Sequence, residues 1–288
     1  MRVVISAGGT GGHIYPALAI INKIKEMEPN SEFLYIGTTN RMEKDLIPSM
    51  GYRYEGIEVT GFKRKLTLDN FKTITNFINA IKRCKIIIKD FDPDIVIGCG
   101  GYVTAPVIYA AKKLGKKTFI HEQNSVVGLA NKFLARYTDK IGVSFESTIK
   151  DFPKGKAILT GNPCSEKALS IKKTTKEKLG ITKDKKLVLI VMGSLGSKTI
   201  NDKIFSFIDK FRSKNYSVII VTGNSYYERV KDKRVPSNVK VLPFIYEMPS
   251  VMKITDLMVT RAGASTMSEI TALEVPSIFI PSPNVTNN

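Results

Sequence analysis

The stretch SAGGTGGH at residues 6–13 places a titratable ring directly after a run of glycines. It separates a short apolar segment from an amphipathic one, so we expect a loop between a strand and a helix. A helix N-terminus offers free N–H groups, and glycine lets a ligand approach the backbone closely. We predict that Thr10, Gly11 and Gly12 bind a phosphate or sugar phosphate and that His13 accepts a proton from an attacking hydroxyl. A tight turn without a ligand is the alternative, although such a turn requires fewer glycines.

HEQN at residues 121–124 follows a run of apolar residues typical of a buried strand. We expect these four polar residues at the ligand-facing rim, because parallel sheets bind ligands at the carboxyl ends of their strands. Glu122 and Asn124 are suited to hydrogen-bonding sugar hydroxyls or to orienting a neighbouring group. GCGGYVTAP is a further strand–glycine–helix junction, and it predicts Tyr102 and Thr104 at the same rim.

Two similar junctions occur in the second half of the chain. GSLGS is the counterpart of the first glycine loop, and we expect Ser194 to donate a hydrogen bond to a phosphate. RAGASTMSE places the backbone N–H groups of Ala264, Ser265 and Thr266 at a predicted helix N-terminus. Glu269, one turn further on, is a plausible acceptor for two vicinal ribose hydroxyls. A capping box formed by Thr266 and Glu269 is the alternative for this pair.

Several common site types do not match. GxGxxG needs a glycine at Ile14, and a P-loop needs Gly-Lys-Ser/Thr at residues 12–14, which read Gly-His-Ile. These mismatches disfavour dinucleotide-dependent dehydrogenases and P-loop proteins. DFDPD at residues 90–94 contains the DxD spacing of metal-dependent glycosyltransferases, but it precedes its strand, on the side away from ligands. We interpret it as a helix-to-strand connection and predict neither a metal site nor a cofactor.

The elements that position these residues alternate along the whole chain. Apolar, β-branched runs predict strands at Val3–Ser6, Phe33–Gly37, Asp94–Gly98, Lys117–Glu122, Lys156–Thr160, Leu187–Met192, Ser217–Thr222, Lys240–Phe244, Asp256–Thr260 and Ser277–Ile280. Amphipathic segments predict helices at Tyr15–Met27, Asn70–Lys89, Val103–Leu114, Glu166–Ser170 and Ile200–Phe211. This alternation, and the likeness of VVISAGGTGGHIYPALAIINKI to VLIVMGSLGSKTINDKIFSFI, predict two Rossmann-like, doubly wound α/β domains that face a cleft. We place the domains at residues 1–162 and 163–288.

Composition narrows the function class. With 43% hydrophobic and 24% charged residues, the chain resembles an ordinary soluble protein. It shows no signal peptide and no apolar run of the roughly 18 residues that span a bilayer, so we expect it in the cytoplasm. The net charge is +18, and residues 61–89 are especially basic. Solvated helix faces are one explanation, and an anionic membrane surface or polyanionic ligand is the other. Nucleic acid is disfavoured because no recognised nucleic-acid motif is present.

The motifs occur together and in order as GGTGGHIYPALA, GTTNRMEKDLIP, GGYVTAPV, HEQNSVVGLANKFLA, GNP and RAGASTMSE. In this combination the chain resembles the MurG family of bacterial UDP-N-acetylglucosamine (UDP-GlcNAc) transferases from its first residue to its last. The resemblance implies a GT-B fold, with the UDP-GlcNAc donor bound mainly by the second domain and the lipid I acceptor by the first. It also implies inverting transfer to the C4 hydroxyl of the muramyl sugar, which forms lipid II for peptidoglycan without a metal.

The resemblance also assigns roles to individual residues. His13 and Asn124 would lie near the reacting centre, supported by Glu122 and Tyr102. The glycine loop would lie near the acceptor pyrophosphate. The donor would contact Ser194, the backbone at residues 264–266, and Glu269 through its ribose. Phe244 and the backbone of Ile245 match the family's uracil site.

Two departures qualify the resemblance. Many relatives carry an arginine after GNP, close to the diphosphate, whereas this chain reads GNPCSE. The contact of that arginine must therefore be lost, made by a basic residue elsewhere, or made by Ser165. The chain stops at PSPNVTNN, where the family continues with a donor-binding glutamine and a helix, so we expect a fragment. If the protein ends at Asn288, we expect weak donor binding and little activity. The alternatives are a UDP-sugar 2-epimerase or another GT-B transferase, and a catalytically silent protein that binds sugar nucleotides or lipid.

The family also docks on membranes, which bears on the basic segment. Ile74, Phe77, Ile78 and Ile81 form an apolar stripe on the predicted helix at residues 70–89, flanked by lysines and arginines. Such a stripe is usually part of a core. The alternative is that this helix and the loop GFKRKL press against anionic lipid. On that interpretation the protein is peripheral, at the cytoplasmic face of the cell membrane.

Overall fold

The computed structural model describes residues 1–59, 69–193 and 196–282. The chain divides into two compact units, Met1–Pro163 and Cys164–Asn288. Each unit contains one parallel β-sheet, so the prediction of two doubly wound α/β sheets is confirmed.

The first unit has a seven-stranded sheet in the order β3-β2-β1-β4-β5-β6-β7. Its strands are β1 (Arg2–Ser6), β2 (Glu32–Thr38), β3 (Arg53–Ile57), β4 (Ile95–Gly98), β5 (Lys117–Glu122), β6 (Lys140–Val143) and β7 (Ala157–Leu159). Its helices are α1 (Gly11–Met27), α2 (Glu43–Ser49), α3 (Asp69–Phe91), α4 (Thr104–Lys113) and α5 (Leu129–Leu134), with a 3₁₀ turn at Glu146–Asp151.

The second unit has a five-stranded sheet in the order β10-β9-β8-β11-β12. Its strands are β8 (Lys186–Val191), β9 (Tyr216–Val221), β10 (Val239–Leu242), β11 (Leu257–Thr260) and β12 (Ser277–Phe279). Its helices are α6 (Pro163–Ser170), which begins at the junction of the units, α7 (Lys198–Ser206), α8 (Asn224–Val230), α9 (Met248–Met252) and α10 (Ala264–Leu273). Two 3₁₀ turns occupy Glu177–Leu179 and Ile208–Phe211.

The strand order places the glycine-rich junctions at one point in each sheet. In the first sheet the order reverses between β1 and β4, which makes this pair of strands the topological switch point. In the second sheet the same reversal falls between β8 and β11. Loops at such switch points bind ligands in open α/β sheets, and the sequence motifs SAGGTGGH, GCGGY, GSLGS and RAGAS occupy these four loops.

Helices cover both faces of the first sheet, which explains why its central strands are apolar throughout. Val3 and Ile5 of β1 pack in a cluster with Ile14 of α1. Val4, between them, points to the opposite face and packs in a cluster with Ile88 of α3. Adjacent residues of a strand point to opposite faces, so a strand covered on both sides must be apolar at consecutive positions.

Four elements differ from the predictions. The pattern missed β3, an edge strand in which only Ile57 is buried, and β6, a strand of four residues. Helix α1 begins at Gly11 rather than Tyr15, so the end of the glycine motif is helical. The helix predicted at Ile200–Phe211 ends at Ser206 and is followed by a 3₁₀ turn.

Candidate functional site

The glycine loop after β1 packs against the glycine loop after β4. The Gly8 N–H group donates a hydrogen bond to Gly100 O at 3.3 Å. Gly101 has a φ of +86°, and a Cβ atom there would overlap Gly8 O. Gly9 also has a positive φ, +94°. Gly101 therefore allows contact between two backbones, because a side chain at this position would separate the loops.

The N-terminus of α1 opens directly from this contact. Thr10 is its N-cap residue, makes no side-chain capping hydrogen bond, and is followed by no acidic residue in the first turn. The N–H groups of His13 and Ile14 donate to Thr10 O. Those of Gly11 and Gly12 have no acceptor among the described residues. The start of α1 is thus free to bind an anion through backbone N–H groups and the helix dipole.

His13 lies in the first turn of α1, partly buried, with Nδ1 3.1 Å from Gly8 O. A carbonyl oxygen only accepts hydrogen bonds, so Nδ1 carries the proton and Nε2 keeps its lone pair. Burial lowers the pKa of His13 below its ordinary value, against the opposing effects of the Gly8 carbonyl and of the carboxylates of Glu122 and Glu43. The ring is therefore neutral at pH 7 and can accept a proton at Nε2.

Glu43 belongs to this site, although the sequence analysis did not assign it a role. It is completely buried at the start of α2. Its Oε2 accepts from Gly9 N–H at 3.2 Å, and its Oε1 accepts from the N–H and hydroxyl groups of Thr38 at 3.1 and 2.7 Å. One signal could have found it, because Glu43 precedes the buried Ile47 by four residues and so shares its face of the helix.

The loop after β4 separates two residues that the sequence placed together. Tyr102 is 63% exposed, whereas Thr104 is fully buried. The Thr104 hydroxyl lies 2.8 Å from Gly100 O and 3.3 Å from Ser6 O. The prediction that Thr104 lies at the rim was wrong, because its side chain turns inward and holds the loop to β1.

HEQN was expected at the ligand-facing rim, but of its four residues only Asn124 is exposed. The buried Glu122 carboxylate accepts four hydrogen bonds, each 2.9 Å long. The donors are the Asn124 N–H group and side-chain amide, the Gly128 N–H group and the Asn131 side-chain amide. Each donor lies in the segment after β5 or in α5. Glu122 therefore shapes this segment and orients Asn124.

His121, the second histidine, has a structural environment. Its Nε2 lies 3.0 Å from Gly161 O, and its Nδ1 lies 3.0 Å from the Gln123 side-chain amide nitrogen. These partners place the proton on Nε2, the opposite tautomer to that of His13. Burial lowers the pKa of His121, while the Gly161 carbonyl and Glu122 oppose the shift. His121 thus ties the end of β5 to the segment after β7.

In the second unit, the loop after β8 is joined to the loops after β11 and β12. Ser194 lies outside the described residues. Gly196 has a φ of +71°, and a Cβ atom there would overlap Thr222 O. Arg261 donates to Ser197 Oγ at 3.1 Å and to Ile280 O at 3.0 Å. One guanidinium group therefore fixes the carboxyl ends of three strands.

Helix α10 begins at Ala264 with Gly263 as its N-cap, no side-chain capping bond and no acidic residue in the first turn. Ala264, Ser265 and Thr266 supply the first three N–H groups, as predicted. Thr266 is inside the helix rather than at its N-cap, so the capping-box interpretation was wrong. Glu269 has no hydrogen-bond donor among the described residues, and burial raises the pKa of its carboxyl to about 7.

The other residues predicted to contact the UDP-GlcNAc donor, Phe244, Ile245 and Ser165, are partly buried. Phe244 and Ile245 follow β10 and therefore lie at the same edge of the sheet as the start of α10. The rings of Phe244 and Tyr246 pack edge-on with their centroids 5.2 Å apart, and Ile245 packs against the core. Ser165 lies in the first turn of α6, next to the buried Cys164.

The acidic segment at residues 90–94 is the predicted helix-to-strand connection. Asp92 pairs with Lys116, and Asp94 accepts from the Arg2 N–H group at 2.7 Å, at the amino edge of the sheet. In residues 1–59, 69–193 and 196–282 no group of His, Cys, Asp or Glu is arranged to hold a metal ion.

The apolar stripe predicted on α3 is divided between two faces. The rings of Phe77 and of Phe133 in α5 pack edge-on with their centroids 6.3 Å apart, and Ile81 packs against the core. Ile74 and Ile78 are 46% and 48% exposed. Exposed Lys82 and Ile86 continue their line along the helix. The GFKRKL loop lies outside the described residues. Within the part of the chain that is described, no helix is long and apolar enough to cross a bilayer.

Family models match most of both units. Residues 3–143 match the N-terminal domain of glycosyltransferase family 28, and residues 187–288 match its C-terminal domain. The chain belongs to glycosyltransferase family 28. It is 50% identical to a Bacillus cereus protein named UDP-N-acetylglucosamine–N-acetylmuramyl-(pentapeptide) pyrophosphoryl-undecaprenol N-acetylglucosamine transferase 1, with 100% of this chain and 80% of the relative aligned. The predicted membership of the MurG family is thereby confirmed.

Solved structures agree on the fold. Acinetobacter baumannii MurG is 28% identical, with a TM-score of 0.70 over 99% of this chain and 80% of that one. The UDP-GlcNAc 2-epimerase from Neisseria meningitidis, solved with UDP-GlcNAc bound, has a TM-score of 0.65 at 16% identity, over 97% of this chain and 82% of that one. At that identity the likeness shows the GT-B fold alone. The family membership favours the transferase over the epimerase.

Proposed function

We propose that this chain is a UDP-GlcNAc-dependent hexosyltransferase that converts lipid I to lipid II. It would transfer GlcNAc to the C4 hydroxyl of the muramyl sugar with inversion. The observation that carries the proposal is the 50% identity, over the whole chain, to a relative whose name states the donor and the acceptor. The starts of α1 and α10 support it, because neither has a side-chain cap or an acidic residue in its first turn, and backbone N–H groups at such a helix start suit a diphosphate.

The second unit would bind the donor. The first N–H groups of α10, at Ala264, Ser265 and Thr266, would bind the UDP phosphates and stabilise the negative charge that develops as UDP leaves. Glu269 would accept from the ribose hydroxyls in its ionised form. Uracil would contact Phe244 and the backbone of Ile245, and Ser165 and Ser194 would donate to the phosphates.

The first unit would bind the acceptor. The start of α1, at Thr10, Gly11 and Gly12, would bind the lipid diphosphate. His13 Nε2 would take the proton from the C4 hydroxyl as its oxygen attacks the anomeric carbon and the bond from that carbon to UDP breaks. Asn124, oriented by Glu122, would hydrogen-bond the sugar, and Tyr102 would support it from the exposed rim.

A UDP-release assay with a lipid I analogue tests this proposal. We expect release that depends on the acceptor and that falls about 100-fold or more in His13→Ala, because general base catalysis contributes about 10²–10⁴. Epimerised UDP-sugar without UDP release would establish the epimerase. UDP-GlcNAc binding without turnover would establish a silent binding protein. Full turnover by a folded His13→Ala variant would refute the role of His13.

We further propose that the exposed face of α3 docks on anionic lipid at the cytoplasmic side of the membrane. Exposed isoleucines in line with a lysine suit the interface between lipid headgroups and acyl chains. The double variant Ile74→Glu/Ile78→Glu should lose co-sedimentation with phosphatidylglycerol vesicles. Leu169→Glu, which alters an exposed leucine of the second unit, is the matched control and should retain it. Binding that is indifferent to lipid charge and to salt would refute the docking.

A further inference from the structure

The proposed reaction makes no direct use of Glu43, yet burial of a carboxylate is costly unless hydrogen bonds compensate it. Its side chain joins two parts of the first unit. Oε1 binds Thr38 at the end of β2, and Oε2 binds the N–H group of Gly9 in the glycine loop. Gly8 has no room for a side chain, because a Cβ atom there would overlap Glu43 Oε1. The loop and the carboxylate are therefore fitted to each other.

The Gly9 N–H group and the Gly8 carbonyl belong to the same peptide group. Glu43 accepts a hydrogen bond from the N–H end of this peptide group at 3.2 Å, and His13 Nδ1 donates one to its carbonyl end at 3.1 Å. A trans peptide is planar, so fixing the direction of the N–H bond also fixes that of the carbonyl. Glycine on both sides, with φ of +94° at Gly9, would otherwise allow this peptide to rotate.

We propose that Glu43 is a positioning residue that orients His13 through the Gly8–Gly9 peptide group. The proposal rests on the proposed function in taking His13 as the general base. The carboxylate holds the peptide so that its carbonyl faces His13, which keeps the proton on Nδ1 and the lone pair on Nε2. Hydrogen bonds in series polarise one another, so the bond from the Gly9 N–H group to Glu43 also strengthens the bond between the carbonyl and His13. No proton passes through the peptide.

A carboxylate that contacts a catalytic histidine directly selects one tautomer and one ring orientation. Glu43 has the same effect on His13 through one intervening peptide group. Only two histidines occur in the chain, and their contacts predict opposite tautomers. The ¹⁵N spectrum of the imidazoles therefore reports on His13 directly, with His121 as an internal reference. This measurement requires no turnover.

Glu43→Gln is the decisive variant. Its amide has one acceptor, so its NH₂ group must face the N–H group of either Gly9 or Thr38. We expect His13 to shift towards the Nε2–H tautomer while His121 is unchanged. We expect kcat to fall about 10- to 100-fold, the effect typical of removing a partner that orients a functional histidine, and the KM for UDP-GlcNAc to stay the same. Asp45→Asn removes an exposed carboxylate from the same helix and should change neither property.

Three results would overturn the proposal. They are a wild-type spectrum with His13 protonated on Nε2, an unchanged His13 tautomer in Glu43→Gln, and a changed tautomer with unchanged kcat. If Glu43→Gln does not fold, Thr38→Val removes one hydroxyl donor to the carboxylate and should produce the same changes in smaller measure. A wild-type protein without acceptor-dependent turnover would refute the proposed function, whereas the spectra would still decide whether Glu43 orients His13.

Discussion

Replacing Glu269 by glutamine should stabilise the second unit and weaken donor binding at the same time. Burial in α10 raises the pKa of this carboxyl to about 7, and no described residue donates a hydrogen bond to it. The ionised form therefore destabilises the folded unit in the absence of ligand. Glutamine has nearly the same shape without the charge, but it places an NH₂ group where a ribose hydroxyl requires an acceptor.

The magnitude follows from the pKa. A change from the ordinary 4.5 to about 7 corresponds to roughly 3 kcal/mol in the free energy of unfolding, at about 1.4 kcal/mol per pKa unit. This is an upper bound, because water reaches part of the side chain. The pKa is raised on folding, so the cost is absent below pH 4.5, grows as the pH rises towards 7, and is complete above it.

Thermal unfolding followed by circular dichroism at pH 4.5 and pH 8 provides the test. The Tm of Glu269→Gln should exceed that of the wild type at pH 8 by up to about 10 °C, and the difference should nearly vanish at pH 4.5. Glu247→Gln, at an exposed glutamate of the same unit, is the matched control and should show no such dependence on pH. Equal stabilisation at both pH values, or none at pH 8, would refute the reasoning.

Two further pairs of substitutions test the packing of the site. Gly101→Ala should lower the free energy of unfolding of the first unit by about 2–4 kcal/mol in thermal melts, because it combines a positive φ with overlap on Gly8 O. Gly115→Ala, also at a positive φ but in open space, is the control and should lower it by about 1 kcal/mol. Glu122→Gln should lower the Tm by more than Asn124→Ala does, because it disrupts four hydrogen bonds to a buried carboxylate. Asn124→Ala should reduce turnover more than stability, because Asn124 is exposed. A larger loss of Tm in Asn124→Ala would contradict the positioning role of Glu122.

The alternation of strands and helices could be predicted from the sequence because it depends on local apolar patterns. The central strands are buried on both faces, which makes their residues continuously apolar and easy to recognise. β3 was missed because an edge strand carries polar residues, and β6 because its sequence, KIGV, contains a lysine and a glycine and only two large apolar residues. The start of α1 was placed late because glycine is a poor helix former, yet Gly11 and Gly12 form its first turn.

The sequence by itself determined the family, the two parallel sheets and the positions of the glycine loops, because each depends on neighbouring residues. Only the tertiary structure decided how individual polar residues act. Glu43 and Gly9 are 34 positions apart, and the Thr104 hydroxyl reaches back 98 positions to Ser6. The proton position on His13 depends on a carbonyl whose direction is fixed by Glu43 from another helix. Burial and hydrogen-bond partners are set where distant segments meet, so no local pattern could assign these roles.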